Sequence, residues 1–390
     1  MGISGNIEKI RAEFPVLSKL TYMNSAAHGP TMKRVKDATD EWWTHRANEE
    51  DVDAPDALGE AAKMLSCKPE ELCLVNRVSQ GLNMVAGMMP LESGDNIVVT
   101  DLTYPSNVFV WFPHREKGVE IRRITHRDGV ITTEDFEKAV DDRTKAVSIS
   151  RVEWTSGLRY DMKALSGIAH DHGAYLVDDS YQAMGPVKID LHDSGVDFYT
   201  AGSEKWMCCP AMTGVFYIKE DLWDDFKPSY RNYHNVEEAF ADGAPWEKPD
   251  HDNHSSYLKP LYGDARKHYR GCVSEEFTWG YHASLSYFNE LGAGNIERRT
   301  AELSQYLIDG LKEHPVRMNT PEEPSERGAL VTYNTGSFEK NQEVYDALKK
   351  EGLIIAHRYA AGVGGLRVSC HFFNTHEEID RLLEVQKRVL

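Results

Sequence analysis

An acid pair and a lysine fall close together in this chain. Asp178 and Asp179 close the run Ala174-Tyr-Leu-Val, and Lys205 sits in Thr200-Ala-Gly-Ser-Glu-Lys-Trp206. A primary amine can hold an aldehyde as a Schiff base. A carboxylate can keep a pyridine nitrogen protonated, so that the ring accepts electrons from a substrate carbanion. The two residue types together point to pyridoxal phosphate (PLP). Side chains alternate across a strand, so only one of the adjacent acids can face a ring bound at the strand end. A solvated acid pair, or one surface lysine among many, is the plainer reading of either piece alone.

Other segments carry compatible chemistry. Leu74-Val-Asn-Arg-Val-Ser79-Gln80-Gly-Leu-Asn83 passes from a strand into a helix, whose free amides and dipole attract an anion. Tyr104-Pro-Ser-Asn107 offers an aromatic ring beside a turn. Arg367, in Gly365-Leu-Arg-Val-Ser369, could hold a carboxylate in two parallel hydrogen bonds.

These groups need a scaffold. Short β-rich runs at Cys73–Val75, Asn96–Thr100, Glu120–Thr125, Ala146–Val152, Tyr175–Asp178, Phe198–Thr200 and Val215–Ile218 alternate with helical patterns. That alternation predicts an α/β fold with a mainly parallel, doubly wound sheet. One connecting helix has Asp161 as N-cap and Gly173 as its stop. From about Leu291 the texture changes to helix, strand and helix, ending on the capping box Thr375-His-Glu-Glu378. The division expected is a large domain over 20–275 and a smaller α+β domain over 276–390. The segment 221–275, rich in Asp, His, Tyr and Trp, lacks apolar periodicity, and loops of that length often bind or cover something. Its histidines (His234, His251, His254, His268) match no metal-site spacing and read as a polar surface excursion.

Composition narrows the class. With 390 residues, 41% of them apolar, the chain can bury a large core. Its net charge of -18 opposes nucleic acid and anionic membranes. No apolar run approaches the roughly 18 residues that span a bilayer, and the N-terminus lacks a signal-peptide pattern. A cytoplasmic enzyme is expected. Six cysteines show no CxxC pair, so reduced thiols are expected rather than zinc or disulfides.

In this order along the chain, the motifs resemble the class V aminotransferase family of fold type I PLP enzymes, the group of cysteine desulfurases, selenocysteine lyases, isopenicillin epimerases and kynureninases. The resemblance covers most of the sequence. Its Asp-x-x-Gln pattern matches Asp179-Ser-Tyr-Gln182, which favours Asp179 over Asp178 as partner of the ring nitrogen and implies that Gln182 contacts the cofactor. Lys205 takes the Schiff-base position. Ser79 and Gln80 fall in the phosphate cup, Tyr104 on the ring face, and Ser203 near the lysine, where the usual serine is replaced by Gly202. Phe277-Thr278-Trp279 stands where a partner subunit often touches the phosphate, making Thr278 a further candidate and a homodimer the implied assembly. Arg367-x-Ser-x-x-x-Phe-Asn-Thr375 matches the substrate-carboxylate motif; Arg358 is a second candidate, and Asn24 and His28 line the implied pocket. The family also joins the N-terminal segment, here 1–19, to the small domain. The implied activity is that of an enzyme that takes an α-amino acid as an external aldimine and uses Lys205 to remove its Cα proton. Elimination at the β or γ carbon, of carbon–sulfur lyase type, is the first expectation; amino-group transfer is second. Epimerisation, kynureninase-like hydrolysis and a non-catalytic binding role follow. Desulfurases carry a persulfide-forming cysteine in a mobile loop shortly before the arginine, and Ala356–Gly365 has none.

Overall fold

The computed structural model describes residues 3–50, 52–241, 258–271 and 273–390. His251, His254 and Cys272 lie outside them. After the short strand β1 (Thr21–Tyr22), the runs expected as strands form β2 (Leu72–Leu74), β3 (Asn96–Thr100), β4 (Glu120–Ile124), β5 (Thr144–Ser150), β6 (Tyr175–Asp179), β7 (Phe198–Gly202) and β8 (Gly214–Ile218). They make one sheet in the order β2-β8-β7-β6-β5-β3-β4. β8 runs antiparallel to both its neighbours, and the remaining pairs are parallel. Every residue of β3, β7 and β8 is buried, as expected of strands covered on both faces.

The winding reverses between β3 and β5: the chain steps outward to β4 in one direction and through β6 to β7 in the other. In open α/β sheets the crevice beyond the carboxyl ends at such a switch receives ligands. The segments that carry Ser79, Tyr104, Glu153, Asp179 and Lys205 all leave from that edge. The helix Met162–Asp171 returns the chain from β5 to β6. Asp161 accepts hydrogen bonds from the backbone N–H of Lys163 and Ala164 at 3.0 and 3.1 Å, a cap worth about 1 kcal/mol. Gly173, with φ at +69°, ends that helix turn.

A second, antiparallel sheet comprises β9 (Arg317–Met318), β10 (Leu330–Asn334), β12 (Ala356–Ala360) and β13 (Val363–Ser369), in the order β12-β13-β10-β9. Helices Ala293–Leu311, Phe338–Lys350 and His376–Val389 cover it through Leu303, Leu307, Val344, Leu348, Ile379 and Leu382. β11 (Leu353–Ile354) pairs in parallel with β1. Arg11 bridges to Glu378 at 2.9 Å, and the Phe14 ring lies 4.5 Å from that of Phe373, tying the N-terminal segment to this layer. Helix Glu275–Leu291 packs on helices Lys33–Ala47 and Ala57–Leu65.

The described flanks of 221–275 correct one expectation. They are docked on the sheet rather than projecting from it. Phe226 packs edge-on against Tyr175 and Phe198 at 5.1 and 5.0 Å, and Val236 bridges to Leu261. His268 is fully buried against Phe216, and burial pushes its pKa down to about 3. The aromatic residues interspersed among the polar ones supply the apolar contact that the polar composition hides.

Candidate active site

Lys205 lies in a loop that leaves β7 and returns as β8. Ser203 closes that loop internally: its Oγ is 2.8 Å from the Pro210 carbonyl oxygen and 2.6 Å from Thr213 Oγ1. The turn Asn24–Pro30 is fastened onto the same loop. Gly29 donates its N–H to the Glu204 carbonyl at 2.8 Å, and a Cβ at position 29 would collide with the Lys205 carbonyl oxygen. Only glycine allows this approach.

The Lys205 ammonium rests on aromatic faces, 3.7 Å from the Tyr181 ring centroid and 5.6 Å from that of Tyr104. Gly202 makes the first contact possible, because a Cβ there would lie 2.7 Å from Tyr181 Cε2. The serine-to-glycine departure thus gives Tyr181 its place across the end of β7. Burial lowers the lysine pKa against the opposing pull of Asp179, and Arg367 lowers it further. An amine so placed is more readily neutral and nucleophilic.

The acid pair divides as strand alternation requires. Asp178 turns to Arg151, with Nε at 2.8 Å and Nη2 at 2.6 Å, and accepts from Ser180 Oγ at 2.8 Å. Asp179 turns to the lysine's side of the sheet end. Its Oδ1 accepts from the Tyr181 N–H at 3.0 Å and its Oδ2 from Asn107 Nδ2 at 3.1 Å. Burial raises the Asp179 pKa, with the backbone hydrogen bond and Lys205 opposing.

Ser79 and Gln80 lie in the first turn of helix Val78–Met88. Gly81 seats that turn against Thr200, since a Cβ would strike the threonine side chain. Gln80 Oε1 accepts from the Asn76 N–H at 2.9 Å, so it closes the turn itself. Arg77, just before the helix, pairs with Glu204 at 3.2 Å. Gln182 is engaged within the protein at both ends: Nε2 donates to the Ala26 carbonyl at 3.1 Å, and Oε1 accepts from Trp206 Nε1 at 2.8 Å. Tyr104 is 42% exposed and meets Trp154 edge-on at 5.5 Å.

Arg367 comes from β13 and is 2% exposed. One Nη donates to the Trp154 carbonyl at 2.7 Å, while Nε is buried without a partner. Burial, with the nearby Arg358 charge, pulls its pKa down to about 9. Arg358 is exposed on the adjacent strand β12 and donates to the His357 carbonyl. Asn24 has a buried, unpartnered Oδ1; His28 is exposed, and its carbonyl accepts from Tyr22 Oη at 2.7 Å. Thr278 stands in helix Glu275–Leu291, its hydroxyl donating to the Ser274 carbonyl at 2.9 Å.

Sequence reasoning did not single out Tyr181, Asn107, Arg151 or Arg77. Arg77, Asn107 and Tyr181 lie inside the motifs given above, and Gly202 is the one local signal of a ring packed over the strand end.

This donor set fits PLP. It combines an amine of lowered pKa on aromatic faces, a buried carboxyl beside it, a helix N-terminus brought to the same sheet edge, and a buried guanidinium nitrogen lacking an anion. Among the described residues no cluster of His, Cys, Asp and Glu could hold a metal ion, and no helix is long and apolar enough to cross a membrane.

Comparison with known proteins agrees with the geometry. The profile of the aminotransferase class-V family matches residues 21–382. An uncharacterized aminotransferase of Bacillus subtilis, YcbU, is 26% identical, over 97% of this chain and 96% of that protein. A cysteine desulfurase of Haloferax volcanii is 24% identical, with 97% and 96% covered. Among solved structures, an apo cysteine desulfurase from Thermococcus onnurineus NA1 superposes with a TM-score of 0.83 at 23% identity, over 98% of this chain and 97% of that one. The cystine C-S lyase C-DES, in complex with its reaction product cysteine persulfide, superposes at 0.84 with 18% identity, over 96% and 98%. The fold is therefore fold type I, and the chain belongs to the class V aminotransferase family as a PLP-dependent enzyme.

Proposed function

We propose that this enzyme, acting as a cytoplasmic homodimer, eliminates a β or γ substituent from an α-amino acid in the manner of a carbon–sulfur lyase, without a persulfide cysteine. The observation that carries the reading is the hairpin between β12 and β13. Ala360 pairs with Val363, and the two residues between them, Ala361 and Gly362, both have positive φ (49° and 80°), as a tight two-residue turn requires. This turn occupies the stretch in which desulfurases carry their mobile cysteine. Cys73, Cys208, Cys209 and Cys370 are buried, and burial raises their thiol pKa values, which opposes thiolate formation.

When bound, PLP supplies an electron sink for the charge left at a deprotonated Cα. Lys205 would hold the cofactor's aldehyde, and its Nζ, whose pKa burial lowers, would be the group that takes the Cα proton. Asp179 would pair with the ring nitrogen and keep a proton there. Ser79 and the helix amides would receive the phosphate, with Gln80 and Ser203 shaping the backbone around it and Thr278 of the partner subunit adding a contact. Gln182 fixes the Trp206 and Ala26 walls. Tyr104 would cover the ring face. Arg367 takes the substrate carboxylate, with Asn24, His28 and Arg358 at the rim.

A second reading, amino-group transfer, is favoured by the likeness to the Bacillus subtilis protein named an aminotransferase. Incubation of the loaded enzyme with candidate amino acids separates the two. Elimination releases a keto acid and ammonia without any acceptor, whereas transfer yields sustained keto acid only when a second keto acid is added. Strict dependence on the acceptor would refute the lyase reading.

A further inference from the structure

Beneath Asp179 lies a second carboxyl that the reaction as described does not use. Glu153, two residues beyond Arg151 in the segment after β5, is fully buried. Its Oε1 accepts from Thr100 Oγ1 and from Tyr160 Oη, both at 3.0 Å, and its Oε2 has no partner. The contacts continue toward Asp179. The Thr103 N–H donates to Thr100 Oγ1 at 3.0 Å; Thr103 Oγ1 lies 2.9 Å from Ser150 Oγ; Asn107 Nδ2 reaches Thr103 Oγ1 at 3.2 Å and Asp179 Oδ2 at 3.1 Å. Thr100, Thr103, Asn107, Ser150 and Asp179 are all buried.

The charged groups that act most strongly on Glu153 are Asp179 on β6 and Asp101 after β3, both acids. Arg151, the nearest arginine in sequence, is committed to Asp178. An ionised carboxylate buried without a counter-charge costs several kcal/mol, so such a group keeps its proton. Both hydrogen bonds end on Oε1, and Oε2 is buried without a partner.

Resting on the assignment of Asp179 to the ring nitrogen, we infer that Glu153 is a positioning residue: a neutral carboxylic acid that anchors the Thr100–Thr103–Asn107 network holding Asp179, leaving Asp179 as the one negative charge facing the cofactor ring. Burial, opposed by the Tyr160 and Thr100 hydrogen bonds and aided by Asp179, pushes the Glu153 pKa up to about 8. Above that pH a second negative charge enters the network and favours protonation of nearby cofactor nitrogens.

Infrared difference spectroscopy of the cofactor-free protein reads the proton directly. A protonated-carboxyl band is expected at neutral pH, lost above about pH 8, and absent in Glu153→Gln. With cofactor bound, Glu153→Gln should retain the cofactor and nearly the parental Tm, because the amide oxygen still accepts from Thr100 and Tyr160. The cofactor's absorbance should titrate alike in parent and variant below about pH 8, where carboxyl and amide are both neutral, and separate above it, the variant's cofactor giving up its proton up to about one unit lower. Tyr160→Phe, which removes one bond to Oε1, should carry the carboxyl band to higher pH and serves if the glutamine variant fails to fold. An ionised Glu153 at neutral pH, or cofactor titrations of parent and Glu153→Gln that already diverge below about pH 8, overturns the inference. An Asp179→Asn variant with a parental cofactor spectrum and an intact Glu153 band would instead overturn the Asp179 assignment on which it rests.

Discussion

Arg367→Lys tests whether the site selects its substrate by the α-carboxylate. The guanidinium is buried, spends one Nη on the Trp154 carbonyl and holds Nε without a partner. A carboxylate arriving there meets a fixed fork of N–H donors. A lysine keeps a charge but cannot satisfy both the Trp154 carbonyl and a two-point carboxylate contact. Loss of one charge-assisted hydrogen bond, about 1.5–3 kcal/mol, should weaken amino-acid binding roughly 10- to 150-fold. The cofactor spectrum before substrate is added should not change. The assay titrates the absorbance of the bound cofactor with an amino acid and with its decarboxylated amine, in parent and variant. The amine should bind the parent poorly and be almost indifferent to the substitution. Equal affinity of the parent for acid and amine, or equal weakening of both in the variant, would refute the assignment.

Borohydride reduction of the loaded enzyme followed by peptide mapping should place the cofactor on Lys205; a label on another lysine sinks the central assignment. Asp179→Asn should keep the cofactor and lose most turnover, whereas Asp178→Asn leaves Arg151 buried without its counter-charge and should cost about 3–5 kcal/mol of stability, read as a fall in Tm. An exchange of those two phenotypes would mean that the opposite acid faces the ring. Glu153 rises from its ordinary value of 4.5 to about 8 on folding, so the folded chain holds a proton that the unfolded chain releases between those values. Its contribution is full below about pH 4.5, declines as pH rises toward 8 and is then spent. Denaturant titrations at several pH values should show the parent losing stability over that window relative to Glu153→Gln, and parallel curves would exclude a proton on Glu153.

Much of the scaffold could be read from the chain because its signals are local. β3 runs over Asn96–Thr100, as its unbroken β-rich pattern predicts, and Asp161 and Thr375 cap the helices their spacing marks. The direction of each acid was not legible in that way. Alternation shows only that Asp178 and Asp179 diverge, and which one meets the ring side depends on Arg151, a residue from a different strand end. Gln182 and Ser203 show a related limit: motif spacing identifies their places, while their hydrogen bonds to Ala26, Trp206, Pro210 and Thr213 arise from segments brought together by folding. His268 was misread for the same reason, since a polar neighbourhood in sequence becomes an apolar one when its flanks dock on the sheet.

The departures from the family pattern form structurally linked pairs. Gly202, where relatives have serine, removes a side chain and in the same step admits the Tyr181 ring, which then contacts Lys205 Nζ. Glu204 pairs with Arg77 at the entrance to helix Val78–Met88 and so joins the lysine loop to the turn that carries Ser79 and Gln80. An aromatic platform and an ion pair thus flank the lysine, while the lysine, the acid and the helix terminus share one edge of the sheet. Gly364 and Gly365 extend the logic to the small sheet. A Cβ on either would collide with a backbone carbonyl of an adjacent strand, Arg358 or Tyr333, so the strand that delivers Arg367 is held close on both sides. Glycine at these positions lets the neighbouring strands close on the one that carries Arg367, whose guanidinium is buried with Nε unpartnered and its pKa pulled down to about 9.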